Sequence, residues 1–176
     1  MKRYVKADAD YGSYLANADM ASLDAAFNPN PDVRERLALY TPAVELLEIY
    51  ACDPAWDVRA SVAYNENTPV ELLRQLASDE KSGVRDCVAR NPNTSLDILI
   101  QLANDPCEQV RWAIAKNPKI SQDILEALSC DQSAVVREGV TFNSNTPVEI
   151  LERLLHDPAS HVSYYAERVL RQKGLL

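Results

Sequence analysis

Five arginines recur along the chain at nearly equal intervals, Arg34, Arg59, Arg85, Arg111 and Arg137, each preceded by a valine. A row of guanidinium groups has the chemistry of phosphate or carboxylate recognition, because each planar fork can hold two oxygens at once. Aspartates recur with them, at Asp53, Asp79, Asp105, Asp131 and Asp157. On stacked helices about 10 Å apart, neighbouring arginines would repel each other by about 1–2 kcal/mol at an effective dielectric near 20. One aspartate per step offsets this repulsion. Recurrence in every step is what packing demands and what partner specificity does not, so the ladder reads as a structural device.

Residues that vary from step to step at a fixed slot are more informative, because the fold does not dictate them. The slots two before, two after and six after each valine are spaced i, i+4, i+8, and so form one stripe roughly opposite the buried helix face. They hold Trp56, Ala60 and Tyr64; Ser82, Asp86 and Arg90; Glu108, Trp112 and Lys116; Ala134, Glu138 and Phe142; and Ser160, Tyr164 and Arg168. Trp, Tyr and Arg are the types enriched at binding hot spots, and here they fall where a helical wheel predicts solvent. Trp112, flanked one turn away by Glu108 and Lys116, is the expected centre of such a face. The bland alternative is that these rings lie down on neighbouring helices as outer core.

Other chemistry is thinly supplied. His156 and His161 are the only histidines and straddle an Asp-Pro break with no cysteine nearby, a poor start for a metal site. The cysteines at 52, 87, 107 and 130 have no CxxC or similar metal-ligand spacing and read as reduced, mostly structural thiols. Cys52 and Cys130 occupy one slot three repeats apart, too far for a disulfide. No serine or cysteine has a neighbouring histidine as base. The acids Glu71, Asp97, Asp123 and Glu149 sit in a helix's first turn, where the dipole explains them. No catalytic, cofactor or metal residue is therefore expected.

The elements that must position these residues follow from the spacing. Val33, Val58, Val84, Val110, Val136 and Val162 are separated by 25, 26, 26, 26 and 26 residues, and Asn65, Asn91, Asn117 and Asn143 keep the same period. Self-similarity at such a period signals a repeat architecture. Within a repeat, Thr68-Pro69-Val70-Glu71 and Thr146-Pro147-Val148-Glu149 resemble helix starts, with Thr as N-cap and Glu reaching back as a capping box. Apolar residues then fall on one face, as at Leu72, Leu73, Leu76 and Ala77 or Ile98, Leu99, Leu102 and Ala103. An Asp-Pro at 53–54, 105–106 and 157–158 breaks the helix and starts a second one. The inward residues of this second helix are Val58 and Val62, Val84 and Val88, Val110 and Ile114, and Val136 and Val140. Such short helices are marginal alone, so stability must come from stacking repeats into a continuous core. Small residues at Ala63, Ala89 and Ala115, and at Ser61, Cys87, Ala113 and Gly139, mark where repeats approach closely.

The unit DPxxxVRxxVAxNPNTPxxLLxxLA, spread over about Asn28 to Leu170, resembles the leucine-rich repeat variant, a bacterial repeat related in style to HEAT solenoids. The resemblance implies a right-handed superhelix of paired helices, one of each pair being α or 3₁₀, and no single biochemical activity. The period here is slightly longer than the family's usual repeat. No cysteine precedes Cys52, so the iron–sulfur segment of some members is not carried over.

The expected fold is thus an all-α, right-handed solenoid of about five 26-residue two-helix repeats with N- and C-terminal caps. Residues 1–27 form the expected tail and N-terminal cap, with Leu23, Ala26 and Phe27 mimicking a last inward face. Residues 28–176 form the solenoid, and His161 to Lys173 its closing helix, with Arg168, Arg171 and Lys173 near the end the dipole prefers. The chain has 176 residues, 47% hydrophobic and 25% charged, which is globular. Lys2, Arg3 and Lys6 precede no apolar stretch of signal-peptide length and no run approaches a membrane span, so a cytoplasmic address is expected. With 18 basic against 26 acidic residues the net charge is −8, the wrong sign for a phosphate-neutralising surface. The reading is a non-enzymatic module that binds a protein or peptide along its second helices, without cofactor. A nucleic-acid binder or DNA-glycosylase-like enzyme on HEAT-like repeats would need clustered Lys and Arg, whereas Arg90, Lys116 and Arg168 alternate with Asp86, Glu108 and Glu138. A structural subunit of a larger assembly is the third reading.

Overall fold

A computed structural model describes residues 27–176, and among them there are eleven α-helices and no strand. They are α1 (Pro31–Tyr40), α2 (Val44–Tyr50), α3 (Trp56–Tyr64), α4 (Val70–Leu76), α5 (Ser82–Arg90), α6 (Leu96–Leu102), α7 (Glu108–Lys116), α8 (Gln122–Ser129), α9 (Ala134–Thr141), α10 (Val148–Leu154) and α11 (Ser160–Gln172). Odd and even helices alternate as five hairpins followed by α11. Both helices of each pair are α, which removes the 3₁₀ alternative.

Each odd helix from α3 onward follows a turn closed by an aspartate. Asp53 Oδ1 accepts the Ala55 N–H at 2.8 Å, and Asp79, Asp105, Asp131 and Asp157 do the same for Lys81, Cys107, Ser133 and Ala159. At the other end α3, α5 and α7 stop where Asn65, Asn91 and Asn117 turn extended. The inward residues are those the period predicts. Val58, Val62, Val84, Val88, Val110, Ile114, Val136 and Val140 are fully buried, as are Leu47, Leu73, Leu99, Leu125 and Leu151 of the even helices. Each such side chain contributes about 1.5–3 kcal/mol on leaving water, and seven-residue helices such as α4 and α6 exist only because of it. Val33 of the first copy is only partly buried.

The starts of the even helices differ from expectation. α4 begins at Val70 after Pro69 with no side-chain cap, and α10 begins likewise at Val148 after Pro147. Thr68 Oγ1 donates instead to the Val62 carbonyl at 2.6 Å, a bond repeated by Thr94 to Val88 and Thr146 to Val140. The hydroxyl is sealed inside the hairpin, where a donor must find a partner and a last-turn carbonyl of the preceding helix lies within reach. Glu71 and Glu149 therefore close no capping box, although both stay in a first turn where the dipole favours them.

At the ends, Leu23 and Ala26 lie outside the described residues, and Phe27 is 72% exposed rather than inward. α11 buries Val162, Ala166 and Leu170. Each odd helix packs directly on the next odd helix, whereas successive even helices stand further apart. The odd row is consequently the inner, concave side of the curve. Among the described residues no helix is long and apolar enough to cross a membrane.

Candidate binding face

Two side-chain ladders fix the odd helices relative to one another. Arg34, Arg59, Arg85, Arg111 and Arg137 each grip the aspartate of the next repeat with two donors, Nε at 2.6–2.7 Å and a terminal nitrogen at 2.8–3.0 Å. The remaining terminal nitrogen donates to the carbonyl six residues earlier, which for Arg59, Arg85, Arg111 and Arg137 belongs to the preceding aspartate. The arginine side chains are only 9–14% exposed. Burial alone would push Asp53, Asp79 and Asp131 up. The arginine fork, a backbone N–H and neighbouring guanidinium charges outweigh it and hold them below the usual carboxylate range. At Asp157 the Arg137 hydrogen bond is the largest influence and the shift is again downward. With Nε and both terminal nitrogens of every fork engaged, the arginine row is committed to holding repeats together.

The asparagines make the second ladder. Asn91 Nδ2 donates to the Ala63 carbonyl at 2.7 Å and the Asn65 carbonyl at 2.9 Å, both in the preceding repeat. Asn65 and Asn143 span repeats in the same way, and Asn117 reaches Ala89.

These ladders leave the varied stripe facing inward along the curve. Tyr64, Tyr164, Trp56 and Phe142 are 58%, 59%, 48% and 43% exposed, and Arg90, Lys116 and Arg168 are exposed too. Asp86, Glu108 and Glu138 are half-buried. Asp86 takes a bidentate bond from Arg90 at 2.8 and 3.0 Å. Glu108 accepts from Ser133 Oγ at 2.6 Å, and Glu138 lies 3.6 Å from His161 Nε2.

Trp112 departs from expectation. It is half-buried and packed on the core, with the Arg90 guanidinium 5.2 Å and Lys116 Nζ 4.4 Å from its ring centre. A Cβ on Gly139 would stand 3.0 Å from Trp112 Cδ1 and 3.1 Å from Ala115 Cβ, so the indole settles into a notch that only glycine leaves open. Trp56 lies likewise across Gly83, its Cζ3 3.1 Å from where that Cβ would be. Lys116 Nζ is also 5.7 Å from the Phe142 ring centre. Phe142 meets Tyr165 at 4.8 Å, and Tyr165 meets Tyr164 at 5.3 Å. The structure thus joins Arg90, Trp112, Lys116, Phe142 and Tyr164 into one file of cations and rings, while Trp56 and Arg168 stand apart from it.

Tyr165 and Gly83 were missed by sequence reasoning, which placed Gly139 at a close approach between repeats but not against the indole of Trp112. A signal existed: each glycine lies 27 positions after a tryptophan, inside a helix where glycine is otherwise unfavourable. Tyr165 occupies the slot of Ser61, Cys87, Ala113 and Gly139, and is the one aromatic residue there.

Other candidate groups contribute little. All four cysteines are unbridged, with Cys52 and Cys130 exposed, and burial pushes the Cys87 thiol up to about 11. A cleft of about 480 Å³ opens between the α6–α7 turn and α8, but its charged wall is Asp105, Arg111 and Asp131, all engaged in the ladder.

Helical hairpins stacked on a common core and laced by side-chain ladders define an α-solenoid. The leucine rich repeat variant family model matches residues 56–81, from Trp56 to the turn before α5. A solved structure, of a leucine-rich repeat variant with a novel repetitive protein structural motif, superposes with a TM-score of 0.68 at 27% sequence identity. The alignment covers 90% of this chain but 66% of that one, just under two thirds of its length. No curated protein matches. The chain thus has an α-solenoid repeat fold similar to that of leucine-rich repeat variants.

Proposed function

We propose that this protein is a non-enzymatic, cytoplasmic interaction module whose odd helices hold a protein or peptide partner along the concave face. The observation that carries the reading is the file of cations and rings from Arg90 through Trp112, Lys116 and Phe142 to Tyr164. Packing explains the arginine, asparagine and valine ladders, which recur unchanged, but it does not ask for a different residue at each stripe position. Exposed aromatic and basic side chains crossing several repeats are the composition of an extended solenoid groove. The stripe residues Trp56, Tyr64, Asp86, Arg90, Glu108, Trp112, Lys116, Glu138, Phe142, Tyr164 and Arg168 are its proposed contacts.

The test compares partners captured from the native cell by three forms: the native chain, a concave variant (Tyr64→Ala with Phe142→Ala and Tyr164→Ala), and a convex variant (Leu96→Ser with Ile100→Ser). All five side chains changed are at least 43% exposed, so both variants should fold. The concave variant should lose at least tenfold of the captured partner and the convex variant none. The opposite pattern would move the binding face to the even helices and end this reading.

A further inference from the structure

We infer that the occupant of the concave face is an acidic peptide in the polyproline II conformation, with carboxylates in a period of three. The inference rests on the concave reading above and adds the chemistry and register of the partner.

Among the described residues the acidic groups on the face are already engaged, whereas two of its cations are not. Its carboxylates have partners: Asp86 is gripped by Arg90, Glu108 is bonded by Ser133, and Glu138 sits beside His161. Two of its cations have no carboxylate among the described residues. Lys116 rests on the rings of Trp112 and Phe142, and Arg168 is exposed near the end of α11 without an ion pair. The row six positions after each valine reads Tyr64, Arg90, Lys116, Phe142, Arg168, and contains no acid. On a molecule of net charge −8, this row is where an anionic ligand is favoured. Its rings would meet apolar side chains between the carboxylates.

The register follows from two lengths. Packed helices lie 8–10 Å apart, here one repeat per step. A polyproline II chain has three residues per turn at about 3.1 Å each, so every third side chain points the same way about 9.3 Å further on. One turn of ligand therefore matches one repeat. A β-strand would not: its third residue faces the opposite side. A carboxylate opposite Lys116 then places a second three positions on, alongside Phe142, and a third six positions on, opposite Arg168, with the intervening apolar residues available to the rings.

Fluorescence anisotropy of labelled peptides tests both parts. The probes are (Glu-Pro-Pro)5, (Ser-Pro-Pro)5, (Lys-Pro-Pro)5 and a peptide of the first composition with its glutamates contiguous. The expected order is (Glu-Pro-Pro)5 tightest, by at least tenfold over the serine and lysine peptides and at least threefold over the contiguous one. Lys116→Glu with Arg168→Glu should weaken (Glu-Pro-Pro)5 at least tenfold and tighten (Lys-Pro-Pro)5, while the circular dichroism of the variant stays native. Equal binding of the serine or lysine peptide overturns the charge assignment, and equal binding of the contiguous peptide overturns the register. Absence of binding by any probe overturns the proposal as a whole. In each case the concave reading survives if the capture experiment still discriminates concave from convex variants, so the two failures are separable.

Discussion

Gly83 and Gly139 each lie under a tryptophan, yet a methyl group added to each should move stability in opposite directions. At Gly83 the nearest atoms all belong to the half-exposed Trp56 ring, which can swing toward solvent. Gly83→Ala should then gain up to about 1 kcal/mol from helix propensity. At Gly139 the new atom meets Trp112 Cδ1 at 3.0 Å, Ala115 Cβ at 3.1 Å and a backbone carbonyl at 3.3 Å. Overpacking of this kind costs about 1–3 kcal/mol, so Gly139→Ala should be net destabilising. Thermal melts of the two variants settle it, and equal shifts would mean that the Trp112 notch is not rigid. The same notch explains why Trp112 was misjudged. A helical wheel sees one helix and places the ring in solvent, whereas the surface that receives it belongs to the next repeat. For the same reason the Thr68 hydroxyl resembled a cap in the sequence: its spacing to Glu71 is right, and only the closed hairpin shows that the Val62 carbonyl is nearer.

The individual hairpin is held to its neighbour by charge as well as by apolar burial, and this gives an acid dependence of definite sign. The carboxyls of Asp53, Asp79, Asp131 and Asp157 are all held below their usual range in the folded chain. Such groups stabilise the fold fully above their unfolded value of about 3.9 and lose that stabilisation as pH falls through the lower folded values. Chemical unfolding should give a stability independent of pH above about 5 that declines steadily below about 4. Asp131→Asn, which leaves the buried Arg111 fork without its carboxylate, should cost about 3–5 kcal/mol at neutral pH and flatten the acid slope. An unchanged slope would remove Asp131 from the source of the effect. At this scale the sequence was readable, because valine, aspartate and asparagine keep one period and inward faces follow from it. It did not show that each arginine reaches the aspartate of the following repeat rather than its own, since both lie in the same periodic register.

Across the whole molecule, stability should behave as a sum over neighbouring repeats, because each hairpin contacts little beyond those beside it. Removing residues 92–117, one period of 26, joins Asn91 to Pro118 with ladder and core in register. That shortened chain should keep its helicity per residue and melt cooperatively at a lower temperature. Removing residues 92–104 alone deletes α6 and runs α5 into α7, an odd helix straight into an odd helix, and should abolish the cooperative transition. Circular dichroism distinguishes the two, and similar melts would contradict the layered core. The repeat period made this architecture legible from the chain alone. The binding face was legible only as positions, because which rings and cations touch depends on how far one repeat is offset from the next. The arginine–aspartate ladder has a mechanical consequence. Each aspartate is held through its carboxylate by the arginine of one repeat, and Asp53, Asp79, Asp105 and Asp131 are held through their carbonyls by the arginine of their own. The bonds thus form one continuous suture along the inner curve from Arg34 to Asp157. Under tension between its ends the molecule should behave as a spring that extends while the suture holds and then parts stitch by stitch. Each rupture would release one repeat of 26 residues, a step of about 90 Å of extended chain.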